Sequence, residues 1–75
     1  MPRLPRSEHR LRRTLAANVH RARQAAGLTL EEAADRAGMH WRHWQKIEAG
    51  EVNATLRTLA RLAGALGTPA GALLA

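Results

Sequence analysis

Residues 28–50, LTLEEAADRAGMHWRHWQKIEAG, are the stretch that decides the fold of this chain. Thr29 followed by Glu32 is the capping-box pattern that begins a helix, and Gly38 is typical of a helix end. A second helical pattern follows at residues 41–49, with Trp44 on its inward face. Isolated helices this short are marginal in water. The stretch therefore predicts two short helices that persist only when they pack steeply on longer neighbours.

Helical patterns flank this stretch on both sides. Upstream, Ser7 is the predicted N-cap of a first helix whose apolar stripe consists of Leu11, Leu15, Val19, Ala22 and Ala26. Downstream, Thr55 begins a fourth helix, and Thr68-Pro69 leads into a short fifth one. The predicted fold class is all-α, with five helices around one core.

The first seven residues differ in composition from the rest. Pro2 and Pro5 with their arginine neighbours predict a flexible basic arm at residues 1–7, which leaves residues 8–75 as a single domain. The basic residues at this end either contact DNA or only keep the chain soluble; they are Arg3, Arg6, Arg10, Arg12 and Arg13.

The charge balance points to a polyanionic partner. Twelve Lys and Arg residues oppose six acidic residues, for a formal net charge of +6. Such a balance is typical of nucleic-acid binding, although solubility charge is the alternative. The chain has no cysteine, no signal-peptide pattern and no apolar run of about 20 residues, so a soluble cytoplasmic protein is expected.

Catalysis and metal binding are not expected. Ser7 is the only serine, and no nucleophile–base arrangement or phosphate-cradling glycine loop is evident. His40 and His43 lack the further ligands that a closed metal site needs. We therefore expect neither an enzyme, nor a cofactor, nor a metal.

Two short helices joined by a tight glycine-containing turn are typical of a helix-turn-helix. Small side chains on the first of them allow a close approach of the second; they are Ala33, Ala34 and Ala37. In this geometry the second helix is presented outward, and its first turn can enter the DNA major groove.

Residues 15–74 resemble the lambda-repressor-like, Xre-type helix-turn-helix transcriptional regulators. The positions that carry the resemblance are Leu28, Thr29, Ala33, Ala34, Gly38, Met39, Trp44, Ile47, Glu48 and Gly50, followed by Thr55, Leu56, Leu59, Leu62, Ala63, Ala65, Leu66 and Gly67. The resemblance implies a helix-turn-helix motif at about residues 30–49 and a dimeric repressor that binds a near-palindromic operator. Two positions depart from the family: His40 replaces the usual Ser or Thr cap, and Trp44 replaces the usual Ile.

The resemblance also implies a set of DNA-binding positions. The base-facing or groove-facing ones are Trp41, Arg42, Gln45 and Lys46, and the backbone-contacting ones are Thr29, Asn53 and Arg57. Arginine suits guanine and glutamine suits adenine, while lysine serves guanine or phosphate. The alternatives are a solvated helix face for Arg42 and Lys46, a free surface arginine for Arg57, capping alone for Thr29, and packing against His40 or a protein for Trp41.

Three further expectations follow. By the same resemblance, Arg23 and Glu48 form a structural ion pair between the first and third helices. A homodimer is expected through the C-terminal helix, because Ala70, Leu73 and Leu74 have few core places left. The alternative function is an antitoxin or other protein-interaction module that also binds DNA, with a toxin or another protein as its partner.

Overall fold

Four α-helices and one terminal 3-10 helix make up a computed structural model that describes the backbone of residues 4–75 and the side chains of residues 7–75. The α-helices are α1 (Leu4–Ala25), α2 (Leu30–Ala37), α3 (Trp41–Glu48) and α4 (Leu56–Leu66), and the 3-10 helix is Ala70–Leu74. The all-α class is confirmed. The fifth predicted helix is a 3-10 helix because five residues after Pro69 are too few for sustained α-helical bonding, and Ala72 N donates to the Pro69 carbonyl instead.

Helix α1 begins earlier than the sequence predicted. It starts at Leu4, so Ser7 lies inside the helix and is not its N-cap. Pro5 is compatible with this start because the first-turn N–H groups of a helix have no intrahelical partner. Residues 4–7, predicted as part of the arm, are therefore helical, and residues 1–3 lie outside the described residues.

The core forms where α1, α2, α3 and α4 meet around Trp44. The Trp44 side chain is 0% exposed, and Val19, Ile47 and Leu62 are the other large side chains that are fully buried. A large indole fits at this position because its surroundings on α2 are alanines, which include Ala33 and Ala34. The predicted apolar stripe of α1 is only partly correct. Leu11 and Ala26, the first and last residues of the stripe, are exposed, because the stripe is longer than the part of α1 against which other helices pack.

A single carboxylate joins α1, α3 and the segment between α1 and α2. Arg23 Nε donates to Glu48 Oε2 at 2.6 Å, and Arg23 Nη2 donates to Glu48 Oε1 at 3.1 Å. Trp44 Nε1 donates to the same Oε2 at 2.6 Å, and His20 Nδ1 lies 2.8 Å from Oε1. Arg23 Nη1 also donates to the carbonyl of Leu28 at 2.9 Å, so the start of the helix-turn-helix is bound to the same cluster.

The surroundings of Glu48 act on its pKa in opposite directions. Burial raises the pKa because it disfavours the charged carboxylate, while the hydrogen bonds from Arg23, His20 and Trp44 lower it. The hydrogen bonds together outweigh burial, so the pKa of Glu48 lies below its usual value and the partly buried carboxylate stays ionised. The bond to Glu48 likewise raises the pKa of Arg23.

The C-terminal residues are docked onto α1. Leu73 is 2% exposed and belongs to the core. Asn18 Nδ2 donates to the carbonyls of Leu73 at 3.0 Å and Ala75 at 3.2 Å, which fixes the end of the chain. The expectation that Leu73 lacks a core place is therefore wrong, and Leu74, which is 39% exposed, is the large C-terminal side chain that faces solvent.

Leu73→Ala is expected to destabilise the domain by about 2–5 kcal/mol, because it leaves a cavity between the 3-10 helix and α1. The matched control Leu74→Ala removes the same atoms from a solvent-facing side chain and should cost about 1 kcal/mol or less. Urea denaturation of both variants measures the difference. Equal losses would show that the docked C-terminus contributes nothing particular to the core.

Glu48→Gln is expected to lower the free energy of unfolding by about 3 kcal/mol at neutral pH, because it leaves Arg23 without its counter-charge. Because the pKa of Glu48 is lowered in the folded protein, its carboxylate adds to the free energy of unfolding at pH values above the pKa of the unfolded chain, near 4.5. This stabilisation is lost as the pH falls through the pKa of the folded protein. The difference in stability between wild type and variant should therefore shrink as the pH falls below 4.5 and should close once the pH has passed the lowered pKa of folded Glu48.

Urea midpoints across a pH series, with sulfate present to keep the variant folded, measure this convergence. The exposed neighbour Glu51 supplies the charge-matched control, Glu51→Gln. A stability gap between wild type and Glu48→Gln that stays constant from neutral to acid pH would exclude an ionised, stabilising Glu48.

Candidate nucleic-acid interface

The two faces of α3 differ sharply in composition. Trp44 and Ile47 are buried, whereas Arg42, Gln45 and Lys46 are exposed. This division follows from the helical period, since the apolar residues three apart lie on one side and the polar residues on the other. Glu48 is the single acidic residue of α3, and its charge is engaged by Arg23. The outward face of α3 therefore carries positive charge and amide donors without a free carboxylate.

The start of α3 is a stack of three consecutive side chains. His40 is the N-cap, and its Nδ1 accepts a hydrogen bond from the backbone N–H of Arg42 at 3.0 Å. The His40 and Trp41 ring centroids lie 5.6 Å apart, and the guanidinium carbon of Arg42 lies 5.3 Å from the Trp41 ring centroid. A cation at that distance is attracted to the face of an indole. The half-buried Trp41 thus holds the Arg42 side chain close to the first turn of the helix.

His40 replaces the hydroxyl cap of the family with a ring nitrogen. Because Nδ1 accepts the hydrogen bond from Arg42, the imidazole must be neutral with its proton on Nε2 in this arrangement. The side-chain bond to the start of α3 is thus made although His40 is not the usual hydroxyl residue. His43, which the sequence offered only as a possible metal ligand, is also exposed on α3.

Thr29 has a defined structural role at the start of α2. Glu32 N donates to Thr29 Oγ1 at 3.0 Å, and Thr29 N donates to Glu32 Oε1 at 2.8 Å, so the predicted capping box is present. The bonds from Thr29, with the backbone N–H as the larger effect, lower the pKa of Glu32. Whether the exposed Thr29 also contacts DNA stays a prediction.

The remaining predicted contacts follow α3 in the chain. Asn53 is exposed in the loop between α3 and α4, and Arg57 is exposed in the first turn of α4, which Thr55 caps. The Asn53 Oδ1 atom accepts a hydrogen bond from Arg12 Nε at 2.8 Å. Sequence reasoning placed Arg12 only among the basic residues of the N-terminal end. The contact joins residues 41 positions apart, and no local pattern signals it.

The described residues also limit other kinds of site. Within residues 4–75, no three or more His, Cys, Asp or Glu side chains are grouped so as to hold a metal ion. No helix in that same range is both long and apolar enough to cross a membrane. The predicted ion pair of Arg23 and Glu48 is present, at 2.6 Å, but it lies in the scaffold behind α3.

Comparison with known proteins places this arrangement in a family. Residues 14–75 match the family model of a helix-turn-helix domain. The chain is 39% identical over 57 residues to the uncharacterized HTH-type transcriptional regulator y4dJ of Sinorhizobium fredii (strain NBRC 101917 / NGR234), a match that covers 76% of this chain and 74% of that protein.

Two solved structures share the fold. The hypothetical transcription factor NHTF from Neisseria superposes with a TM-score of 0.83 at 32% identity, over 87% of this chain and 75% of that one. The clp gene regulator ClgR from C. glutamicum superposes with a TM-score of 0.80 at 28% identity, over 85% of this chain and 83% of that one. With its sequence match, its four α-helices and its outward-facing α3, the chain belongs to the helix-turn-helix family of transcriptional regulators.

Proposed function

We propose that this domain binds double-stranded DNA sequence-specifically, with α3 in the major groove, and acts as a dimeric transcriptional repressor at a near-palindromic operator. The observation that carries the proposal is the outward face of α3. Its exposed residues are Arg42, Gln45 and Lys46, while its inward face is locked in the core and its carboxylate is held by Arg23. A short helix fixed in this way is a rigid element for reading base edges.

Each exposed residue of α3 has a suitable base partner. Arg42 can donate two hydrogen bonds to guanine O6 and N7, and Gln45 can pair with adenine N6 and N7. Lys46 serves guanine or a phosphate, and Trp41 offers an apolar surface with one N–H donor. The DNA backbone is the proposed partner of Thr29, Asn53 and Arg57, which lie outside α3. Backbone contacts of this kind fix the register of a protein on the duplex.

An apolar groove supports the dimer. Three exposed large hydrophobic side chains are recorded in the described part of the chain, and all of them line one groove between α1, the α3–α4 loop and the C-terminus; they are Leu11, Leu56 and Leu74. Grouped exposed apolar residues mark interaction surfaces. A homodimer formed here would involve Leu74 of the C-terminal helix, and it must leave Arg12 and Asn53 open to DNA, since both residues also line this groove. To bind a near-palindromic operator, such a dimer must hold its two α3 helices about 34 Å apart, so that they enter successive major grooves.

Arg42→Ala is expected to abolish the preference for the specific duplex, because it removes the bidentate donor to guanine. Fluorescence anisotropy with the chain's own upstream DNA and a scrambled duplex, across a salt series, measures this preference. The matched control is Arg21→Ala, which removes an equal charge from an exposed position on α1. The control should weaken both duplexes slightly and equally.

Specificity that survives Arg42→Ala would contradict the proposed role of α3. If wild type binds both duplexes alike with a steep salt dependence, the positive charge acts on phosphates alone. Sequence-specific recognition of that upstream DNA would then be excluded.

Leu56→Glu is expected to convert a dimer into a monomer, because Leu56 is 84% exposed within the apolar groove and a carboxylate there would be desolvated on association. Sedimentation velocity at tens of micromolar, with and without DNA, measures the mass. Ala60→Glu adds the same charge to an exposed position of α4 that does not line the groove, and should leave the dimer intact. A monomeric wild type under both conditions would rule out the dimer.

A further inference from the structure

We propose that Arg12 is a positioning residue that turns the amide of Asn53 so that its NH2 group donates to a phosphate of bound nucleic acid. The inference rests on the proposed function in one respect, namely that the α3–α4 loop faces DNA. It adds a residue of α1 to the interface, and it assigns to Asn53 a donor with a fixed orientation.

The direction of the Asn53 amide follows from donor chemistry. An asparagine amide has an accepting oxygen and a donating nitrogen, whereas an arginine N–H can only donate. The 2.8 Å contact between Arg12 Nε and Asn53 is therefore made by Oδ1. Oδ1 and Nδ2 lie on opposite branches of a planar amide, so Nδ2 is turned away from Arg12. Among residues 7–75 the structure records no acceptor for Nδ2, and Asn53 is exposed.

Arg12 itself is committed to the protein. Its Nε donates to Asn53, and its Nη2 pairs with Glu8 one turn earlier on α1. The carboxylate of Glu8 offsets the charge of the guanidinium, which weakens any direct attraction of Arg12 to a phosphate. A partly neutralised arginine with two engaged nitrogens is better suited to orienting a neighbour than to binding an anion.

The Arg12–Asn53 pair lies next to the turn that leads out of α3. A Cβ placed on Gly50 would lie 3.9 Å from the Arg12 carbonyl and 3.9 Å from the Ala16 Cβ, so α1 lies against the turn that leads out of α3. Gly50 has a φ of +73°, which glycine adopts without strain. The loop that carries Asn53 thus begins against α1, and Arg12 fixes the loop a second time, three residues later.

An amide NH2 that is held outward and lacks an acceptor suits an anionic oxygen. Hydrogen bonds to a charged acceptor are stronger than those between neutral groups. A phosphate contact made by a neutral donor carries no base information and depends weakly on salt, since it replaces no counterion. The expected ligand of Asn53 is therefore a backbone phosphate oxygen.

A double-mutant cycle on a fixed scrambled duplex at low salt tests the inference, with affinities measured by anisotropy for wild type, Arg12→Ala, Asn53→Ala and the double variant. Asn53→Ala should weaken binding about tenfold, the loss of one hydrogen bond to a charged group. Arg12→Ala should weaken binding several-fold in wild type and much less in the Asn53→Ala background. The charge lost with Arg12 is the same in both backgrounds and cancels from the comparison.

Arg13→Ala is the matched control, because it removes a charge from the next residue of α1 and should act equally in both backgrounds. A second readout follows the Asn53 side-chain NH2 signals by 15N NMR. They should shift when duplex is added to wild type, and should shift far less in Arg12→Ala. Equal effects of Arg12→Ala in the two backgrounds would overturn the positioning role. NH2 signals that shift as far in Arg12→Ala as in wild type when duplex is added would overturn it as well.

The two proposals fail separately. If the Arg12–Asn53 coupling is found but Arg42→Ala leaves specificity intact, the positioning role stands and the base-reading role of α3 falls. If the coupling is absent while Arg42→Ala erases specificity, the reverse holds. A wild type that binds no duplex at all would overturn both.

Discussion

The position of α3 depends on one ionised carboxylate beneath the surface. Glu48 accepts hydrogen bonds from Arg23 on α1 and from Trp44 on its own helix, and Arg23 also holds the carbonyl of Leu28 ahead of α2. Charge inside a protein is costly unless every partner is in place. The cluster therefore favours one arrangement of α1 relative to the helix-turn-helix, and the outward direction of α3 follows from that arrangement.

Trp44 joins this cluster to the apolar core. Its indole is fully buried, and the alanines of α2 leave the volume that it fills. Its N–H needs an acceptor inside the protein, and Glu48 supplies one at 2.6 Å. An isoleucine, the residue of the resembling family, packs in such a place but donates nothing. Trp44 in place of isoleucine thus keeps the apolar packing and adds a hydrogen bond to the partly buried carboxylate of Glu48.

The features that the sequence predicted well are local ones. The capping box of Thr29 and the left-handed Gly38 follow from residues close in the chain, so the boundaries of α2 were predictable. The failures involve distant partners. The burial of Leu73 depends on contact with α1, and the orientation of Asn53 depends on Arg12, 41 residues earlier. At the candidate site, spacing and the resemblance predicted the exposed side chains of Arg42, Gln45 and Lys46. Trp41, predicted to face the groove with them, is half-buried and packs against the core, and its stacking with Arg42 depends on side-chain geometry.

The two tryptophans give the protein an intrinsic fluorescence signal. The chain contains no tyrosine, so its ultraviolet emission comes from Trp41 and Trp44 alone. Trp44 is sealed in the core beside a carboxylate, and its emission follows unfolding. Trp41 is half-buried at the start of α3, beneath the guanidinium of Arg42. A phenylalanine at either position would leave the fluorescence of the other indole alone. Trp44 would then report cooperative unfolding and Trp41 the occupancy of the α3 surface, both without an added label.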